Sequence, residues 1–386
     1  MSDRPTTYFL ETLGCPKNEV DSAKLEGRFA ADGLRPASTP DEADLVIVNT
    51  CAFIEDARQE SIDTILDLSD RRREGSRLVV TGCLAERHGE ELASSVPEID
   101  QVAPFGVDMT GGGPVPVQLG PPRRAPDFDL LNLPRPASPR PWAYVKIAEG
   151  CDRACGFCAI PSFRGPQRSR TIGSILREVD ELDAREVVLV AQDLAAFGRD
   201  QGVGERSIVP LVEQVAERVA RVRLLYLYPS DLDDRLIDTI CNTGVPYFDL
   251  SLQHVSAPLL RRMRRWGDGQ RFLGRIDRIR DREPASAFRS NFLVGYPGET
   301  EDDHDALLAF VEAAQLDWCG FFAYSAEPGT HAVTLDGAVP EGLRDDRLAE
   351  LRALQDEITA TKRDLCLLYT SPSPRDATLS RMPSSA

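Results

Sequence analysis

Apolar residues recur along this chain in two patterns, short continuous runs and longer amphipathic stretches. In the first hundred residues the short runs are Thr7 to Leu13, Asp44 to Asn49 and Arg77 to Val80, and they predict strands. Glu19 to Asp32 and Ile54 to Arg72 lie between them with helical spacing. This β-α-β-α-β alternation predicts a parallel sheet with helices packed on its faces, over residues 1–103.

From Pro104 to Pro141 the pattern breaks, because 15 of these 38 residues are Gly or Pro. Such a stretch sustains neither a long helix nor a central strand, so 104–141 is expected to be a linker. Strand-like runs then resume at Ala143–Ile147, Glu186–Ala191, Arg223–Tyr228, Tyr247–Leu252, Arg289–Val294 and Gly320–Tyr324. Helical stretches such as Ile172–Leu182, Ile208–Val219 and Glu301–Ala314 separate them. Six strand-and-helix repeats over 142–338 predict an open (β/α)6 barrel, a partial TIM barrel, with its chemistry at the carboxyl ends of the strands. A helix follows over 339–365.

Composition narrows the class. No apolar run approaches membrane-spanning length and the N-terminus is polar, so neither a signal peptide nor an anchor is expected, and the protein is read as cytoplasmic. Lys and Arg total 45 against 62 Asp and Glu, a net charge of −17, which argues against nucleic acid and favours a basic partner. Nine cysteines, odd in number and widely spread, are not a secreted disulfide framework.

Where the cysteines fall carries the chemistry. Cys151, Cys155 and Cys158 form a C-x3-C-x2-C loop just after the first strand of the second group. Three thiolates on one short loop can hold three corners of an iron–sulfur cluster and leave the fourth iron open. A closed zinc site wants a fourth protein ligand at short spacing, and none follows. Three further cysteines each follow a strand of the first group: Cys15, Cys51 and Cys83. A parallel sheet would bring these to one edge, where Gly14 and Gly82 allow close approach. The alternative is three cysteines serving as small hydrophobes at buried strand ends.

Polar residues gather where the second group's strands end: Gln192-Asp193, Pro229-Ser230-Asp231, Gln253-His254 and Gly295 to Glu299. Each has an ordinary alternative. Gln253 and His254 could be a strand-end hydrogen-bonding pair, and Gly295 to Glu299 could be a tight strand-to-helix connection with Glu299 near a helix N-terminus. Phe157 is either a core aromatic or a shield beside the thiols. The run Arg261 to Arg265 is read as a solvated helix face.

Two features together resemble the methylthiotransferase family of radical S-adenosylmethionine (SAM) enzymes: three cysteines in an N-terminal α/β domain, then C-x3-C-x2-C opening a barrel. The matching segments include Gly14-Cys15-Pro16-Lys17-Asn18, Asn49-Thr50-Cys51, Thr81-Gly82-Cys83, Ile160-Pro161, Arg164-Gly165 and Gly295 to Thr300. Gly-Cys-Pro-Lys-Asn at the first cysteine and Gln-Asp at 192–193 are similar to the branch acting on an aspartate of small-subunit ribosomal protein uS12. The resemblance implies two 4Fe–4S clusters, one on Cys151, Cys155 and Cys158 that binds SAM and an auxiliary one on Cys15, Cys51 and Cys83. It implies SAM contacts from Phe157, Gln192, Gly295, Gly298 and Glu299, two SAM molecules per turnover, and an electron donor such as flavodoxin or ferredoxin. A monomer is expected. Two other readings stay open, the same chemistry on a modified adenosine of transfer RNA and a non-enzymatic cluster carrier. Family members continue into a small β-barrel (TRAM) domain, whereas residues 366–386 here are Ser/Pro-rich and read like translated adapter sequence, so no such domain is expected in this chain.

Overall fold

Successive side chains of the central strands of the first group join opposite cores, and that alternation of faces fixes the first sheet. Val46 and Val48 pack with Leu78 and Val80 on one face, while Leu45 and Ile47 pack with Val79 on the other. Both faces are apolar, as a parallel sheet covered on both sides requires. The elements are β1 (Thr7–Thr12), α1 (Pro16–Ala31), β2 (Arg35–Pro36), β3 (Leu45–Thr50), α2 (Glu55–Arg71), β4 (Arg77–Gly82), α3 (Cys83–Ser95) and β5 (Gln101–Val102). The strands lie in the order β2-β1-β3-β4-β5, and every pairing is parallel.

The computed structural model describes residues 4–111, 127–202 and 208–370. Linker positions 112–126 and positions 371–386 of the expected tail lie outside the described residues, while the helix expected to end at 365 runs on to Thr370. The chain divides into two compact units, Met1–Pro246 with Ser325–Thr334, and Tyr247–Tyr324 with Leu335–Ala386.

The first unit continues past the first sheet with β6 (Trp142–Lys146), β7 (Ala148–Glu149), α4 (Ile160–Arg164), β8 (Arg168–Ser169), α5 (Ile172–Leu182), β9 (Glu186–Val190), α6 (Ile208–Ala216), β10 (Arg221–Leu227) and α7 (Asp234–Cys241). β6 and β10 flank β9 in parallel, and β7 pairs antiparallel with β8. Helix α5 begins where the periodicity places it because Thr171 caps it, its hydroxyl accepting the Ser174 amide at 3.2 Å. The short helix α4 is half committed to the first sheet, since Ala159 before it and Phe163 within it join the core formed by Val46, Val48 and Val80.

The second unit holds β11 (Tyr247–Gln253), α8 (Ala257–Arg262), α9 (Gly269–Arg282), β12 (Ala287–Val294), α10 (Glu301–Ala314), β13 (Trp318–Ala323) and α11 (Glu341–Thr370). Its strands are parallel, and its core is aromatic, with Phe248 stacked on Phe288 at 5.4 Å and Phe292 on Phe321 at 5.7 Å. Thr300 and Asp303 form a capping box that starts α10. The arginine run is a solvated face only in part: Arg261 and Arg264 are exposed, while Arg262 and Arg265 are half-buried. α8 stops at Arg262 and the chain turns through Arg264 at φ +56°, so the helical register does not persist. Arg262 instead donates Nε–H to the Pro297 carbonyl at 2.9 Å and pairs with Asp336, while Arg265 reaches the Ser251 carbonyl.

Thus the protein is α/β, a parallel-sheet N-terminal domain followed by six parallel strands alternating with helices, three in each unit. No helix among the described residues is long and apolar enough to cross a membrane.

Candidate active site

The register of the first sheet brings three cysteines to one level. Thr12 lies opposite Asn49 and Asn49 opposite Thr81, so β1, β3 and β4 end together. Cys15 is the N-cap of α1, Cys51 follows β3 directly, and Cys83 is the first residue of α3. Two of the thiols therefore sit at helix N-termini, where the backbone favours negative charge.

The motif residues beside them act as splints. The Asn18 side-chain amide donates to the Leu13 carbonyl at 2.8 Å and the Thr50 carbonyl at 3.0 Å, tying two strand ends. The Asn49 amide reaches the Asn18 carbonyl at 3.0 Å and the Ser22 hydroxyl at 2.9 Å. Lys17 lies over the Tyr226 ring at 4.0 Å, and Tyr226 adopts a φ of +64°, unusual for a non-glycine residue. Gly82 has a φ of +90°, and a Cβ there would stand 2.6 Å from the Thr50 amide nitrogen. Gly82→Ala is expected to cost on the order of 2–3 kcal/mol. An unchanged urea midpoint would contradict that.

The second trio sits on a loop held at its neck. Cys151 donates its amide to the Gly165 carbonyl at 3.1 Å, and the β7–β8 pairing closes the loop just outside it. Gly150, at φ +80°, is packed so tightly against the Gly165 carbonyl that a Cβ would lie 2.6 Å from its oxygen. Inside the loop the Cys158 amide meets the Cys155 carbonyl at 3.1 Å, and the Arg153 amide points at Cys151 Sγ at 3.4 Å. The Arg153 side chain donates to Asp193 at 2.5 Å, pairs with Asp231 and stacks on Tyr228. Those carboxylates stand at the ends of β9 and β10, so the strand ends fix the loop. Phe157 is half-buried between the last two cysteines.

Electrostatics divides the thiols. Burial pushes Cys51 and Cys151 up to about 11. Burial also works against Cys15, but Lys17, Arg164 and the amides of Asn18 and Lys17 bring it below its usual value. A buried thiol that is to be a thiolate needs a neighbouring positive charge, which a bound metal supplies. Among the described residues none of these thiols is in a disulfide. Nor do three Cys, His, Asp or Glu side chains converge tightly enough among them for a single metal ion. Ligands of a four-iron cluster stand further apart than those of one ion, and Gly14 keeps the flank of one thiol clear, since a Cβ there would stand 3.1 Å from Cys51 Sγ. The donor set fits such a group.

The predicted SAM contacts fall in both units. Gln192, after β9, donates to Glu149 Oε1 at 2.6 Å, while its own Oε1 and the neighbouring Asp193 Oδ1 are buried and find no partner among the described residues. Two orphaned acceptors at a strand end are what a polar ligand would satisfy. Gly295, Gly298 and Glu299 belong to the second unit. There Gly295 and Gly298 take φ of +81° and +88°, and Glu299 accepts the amides of Gly295 at 2.5 Å and Tyr296 at 3.3 Å. Its other oxygen accepts from Arg347 at 3.0 Å. Glu299 thus shapes its turn, and Thr300 is the cap of α10. His254 is fully buried, its Nδ1 accepts the Ser256 amide at 3.1 Å, and burial lowers it to about 4, so it is neutral at pH 7.

Sequence reasoning quoted Arg164 only as part of a motif and passed over Glu149, Arg153 and Lys146. Their signal was weak because each acts through partners distant in the chain. Gln167 was missed too: it is 6% exposed and neither atom of its amide has a partner among the described residues.

Comparison with known proteins agrees with this geometry. Residues 7–104 match the family described as "Uncharacterized protein family UPF0004", and residues 145–311 match the radical SAM superfamily. The ribosomal protein uS12 methylthiotransferase RimO of Cutibacterium acnes is 40% identical, over 94% of this chain and 86% of that protein. Those of Geobacter sulfurreducens (41%, over 96% and 86%) and Aquifex aeolicus (41%, over 92% and 80%) are similarly close. Among solved structures, the fold is similar to the radical SAM methyltransferase TsrM from Kitasatospora setae with cobalamin and a 4Fe–4S cluster bound. That match has a TM-score of 0.53 at 15% identity, over 85% of this chain and 74% of that one. The cobalamin-dependent SAM radical enzyme OxsB matches with a TM-score of 0.53 at 12% identity, over 92% and 56%. With a parallel-sheet domain ending in three thiols, a C-x3-C-x2-C loop after β6 and relatives at this identity over nearly its whole length, the chain belongs to the RimO family of radical SAM methylthiotransferases.

Proposed function

We propose that this enzyme replaces a hydrogen on the β-carbon of an aspartate of ribosomal protein uS12 with a methylthio group, using two 4Fe–4S clusters and two molecules of SAM. The observation that carries this reading is the presence in one compact unit of a three-thiol sheet edge and a C-x3-C-x2-C loop. A reduced cluster with bound SAM supplies a carbon radical able to take hydrogen from an unactivated carbon, which acid–base chemistry at neutral pH cannot do. The hydrogen would leave as part of 5′-deoxyadenosine, the sulfur would come from the site held by Cys15, Cys51 and Cys83, and the methyl group would come from the second SAM, which leaves as S-adenosylhomocysteine.

The protein's own part is to bind and orient. Cys151, Cys155 and Cys158 hold one cluster, with Arg153 anchoring their loop to the ends of β9 and β10. Cys15, Cys51 and Cys83 hold the other. Phe157 flanks SAM, Gln192 offers it a free acceptor, and Gly295, Gly298 and Glu299 present backbone to it. The net charge of −17 suits a strongly basic ribosomal substrate. We read the enzyme as a cytoplasmic monomer served by a flavodoxin or ferredoxin.

The test is anaerobic incubation with SAM, a reductant and purified uS12, read by peptide mass spectrometry. The expected product is one aspartate carrying a methylthio group. Untouched uS12 with a methylthiolated adenosine in transfer RNA would overturn the substrate. Iron should be assayed on the same preparation. About eight irons per chain are expected, falling to about four in the Cys15/Cys51/Cys83 triple alanine variant. About four in both would leave the N-terminal thiols as structural residues and remove the second cluster.

A further inference from the structure

Arg164 ends the helix that follows the C-x3-C-x2-C loop, yet one edge of its guanidinium serves the other cysteine trio. Its side chain is 3% exposed. Nη1 lies 3.2 Å from Asp21 Oδ2 and 3.0 Å from Glu149 Oε2. Nη2 lies 3.0 Å from Cys83 Sγ and 3.0 Å from Asn18 Oδ1. The Phe105 ring stacks on it at 4.1 Å from the centroid.

The division of labour between the two nitrogens is informative. Asp21 and Glu149 already have a cation in Lys146, so holding the two carboxylates does not require the second edge. Nor can Asn18 swing away, because its amide nitrogen is spent on Leu13 and Thr50. The guanidinium plane is therefore fixed, with Nη2 donating to Asn18 Oδ1 and to Cys83 Sγ. From there a chain of contacts runs on through Glu149 to Gln192 Nε2 at 2.6 Å, beside the orphaned acceptors at the end of β9.

We propose that Arg164 is a positioning residue for the N-terminal sulfur site, fixing the Cys83 thiolate by a charge-assisted hydrogen bond and making the cluster held there easier to reduce. The inference rests on the two-cluster reading. A donor and a fixed positive charge beside a cluster thiolate stabilise the more negative, reduced form, so the potential rises relative to a site without them. Arginine suits this better than lysine, because its planar fork satisfies two directions at once.

The test uses the full chain with Cys151, Cys155 and Cys158 changed to alanine, so that only the N-terminal site loads. Iron content, the EPR spectrum of the reduced cluster and its midpoint potential are compared for Arg164, Arg164→Lys and Arg164→Met. The expected result is a negative shift of the midpoint in Arg164→Met with altered g-values, and a smaller shift in Arg164→Lys. If Arg164→Met loads no iron, the lysine variant decides: a shifted midpoint supports the assignment and an unmoved one rejects it. Loaded Arg164→Met with unchanged midpoint and spectrum also rejects it. So does an equal shift of the other cluster when Arg164→Met is placed in the Cys15/Cys51/Cys83 triple alanine background, since a general loosening would move both. No iron with Arg164 intact would instead sink the two-cluster reading, and this inference with it.

Discussion

Replacing Cys83 with alanine is expected to abolish methylthio transfer while SAM is still cleaved reductively. The prediction follows from how the two thiol sites are built. Cys83 opens α3 at the end of β4, where it is held by Gly82 behind it and Arg164 beside it. The C-x3-C-x2-C loop takes its shape from other groups: the Gly165 carbonyl at its neck, the β7–β8 pairing and the Arg153 pairs with Asp193 and Asp231. None of those contacts passes through Cys83. Formation of 5′-deoxyadenosine should therefore continue in the variant at a comparable rate, with no methylthiolated aspartate in the same reaction. Loss of both signals together would mean that the two sites are not separable, and the division of labour would have to be abandoned.

The second large effect concerns stability. Lys146, on β6, is fully buried, and its ammonium lies 2.6 Å from Asp21 Oδ1 on α1 and pairs with Glu149 as well. Two carboxylates, Asp21 buried and Glu149 half-buried, share two buried cations here, Lys146 and Arg164. Lys146→Met leaves Asp21 and Glu149 to a single guanidinium. Removing one partner from a buried pair costs about 3–5 kcal/mol, mostly because the charge left behind stays desolvated. Glu149 shows what that would do: burial opposes its ionisation, and Arg164 and Lys146, with the Gly150 amide, keep it below the usual carboxylate range. Adding Asp21→Leu to Lys146→Met should recover part of the loss, because it removes a stranded carboxylate. Denaturant midpoints of the two variants check this, and a Lys146→Met midpoint equal to that of the parent would refute the account.

The alternating runs and the cysteine spacings were legible before any fold was known, since both are local. Ile172–Leu182 and Glu301–Ala314 form helices with the expected ends because Thr171 and Thr300 are caps written into the sequence. That Cys15, Cys51 and Cys83 end adjacent strands follows from the same local pattern plus the rule for parallel sheets. What spacing did not carry was the pairing of charges. Arg164 meets Cys83 across 81 positions and Lys146 meets Asp21 across 125, and neither separation leaves a periodic trace. The arginine run was legible only in part: Arg261 and Arg264 are exposed as its composition suggests, yet the end of α8 and the left-handed turn at Arg264 direct Arg262 and Arg265 toward carbonyls. Glu299 matches the ordinary alternative of a tight strand-to-helix connection, its carboxylate accepting two amides of its own turn.

Helix α4 has a consequence for how such enzymes can diversify. Phe163 contributes to the core of the N-terminal sheet, and the next residue, Arg164, touches that domain's thiol site. An unrelated N-terminal domain joined to this radical SAM domain would offer α4 no socket for Phe163 and no acceptors for Arg164. Exchange of the two halves between lineages should therefore fail unless this helix travels with the N-terminal domain. Chimaeras made with the junction placed after Gly165, rather than inside the linker, are the ones that should fold.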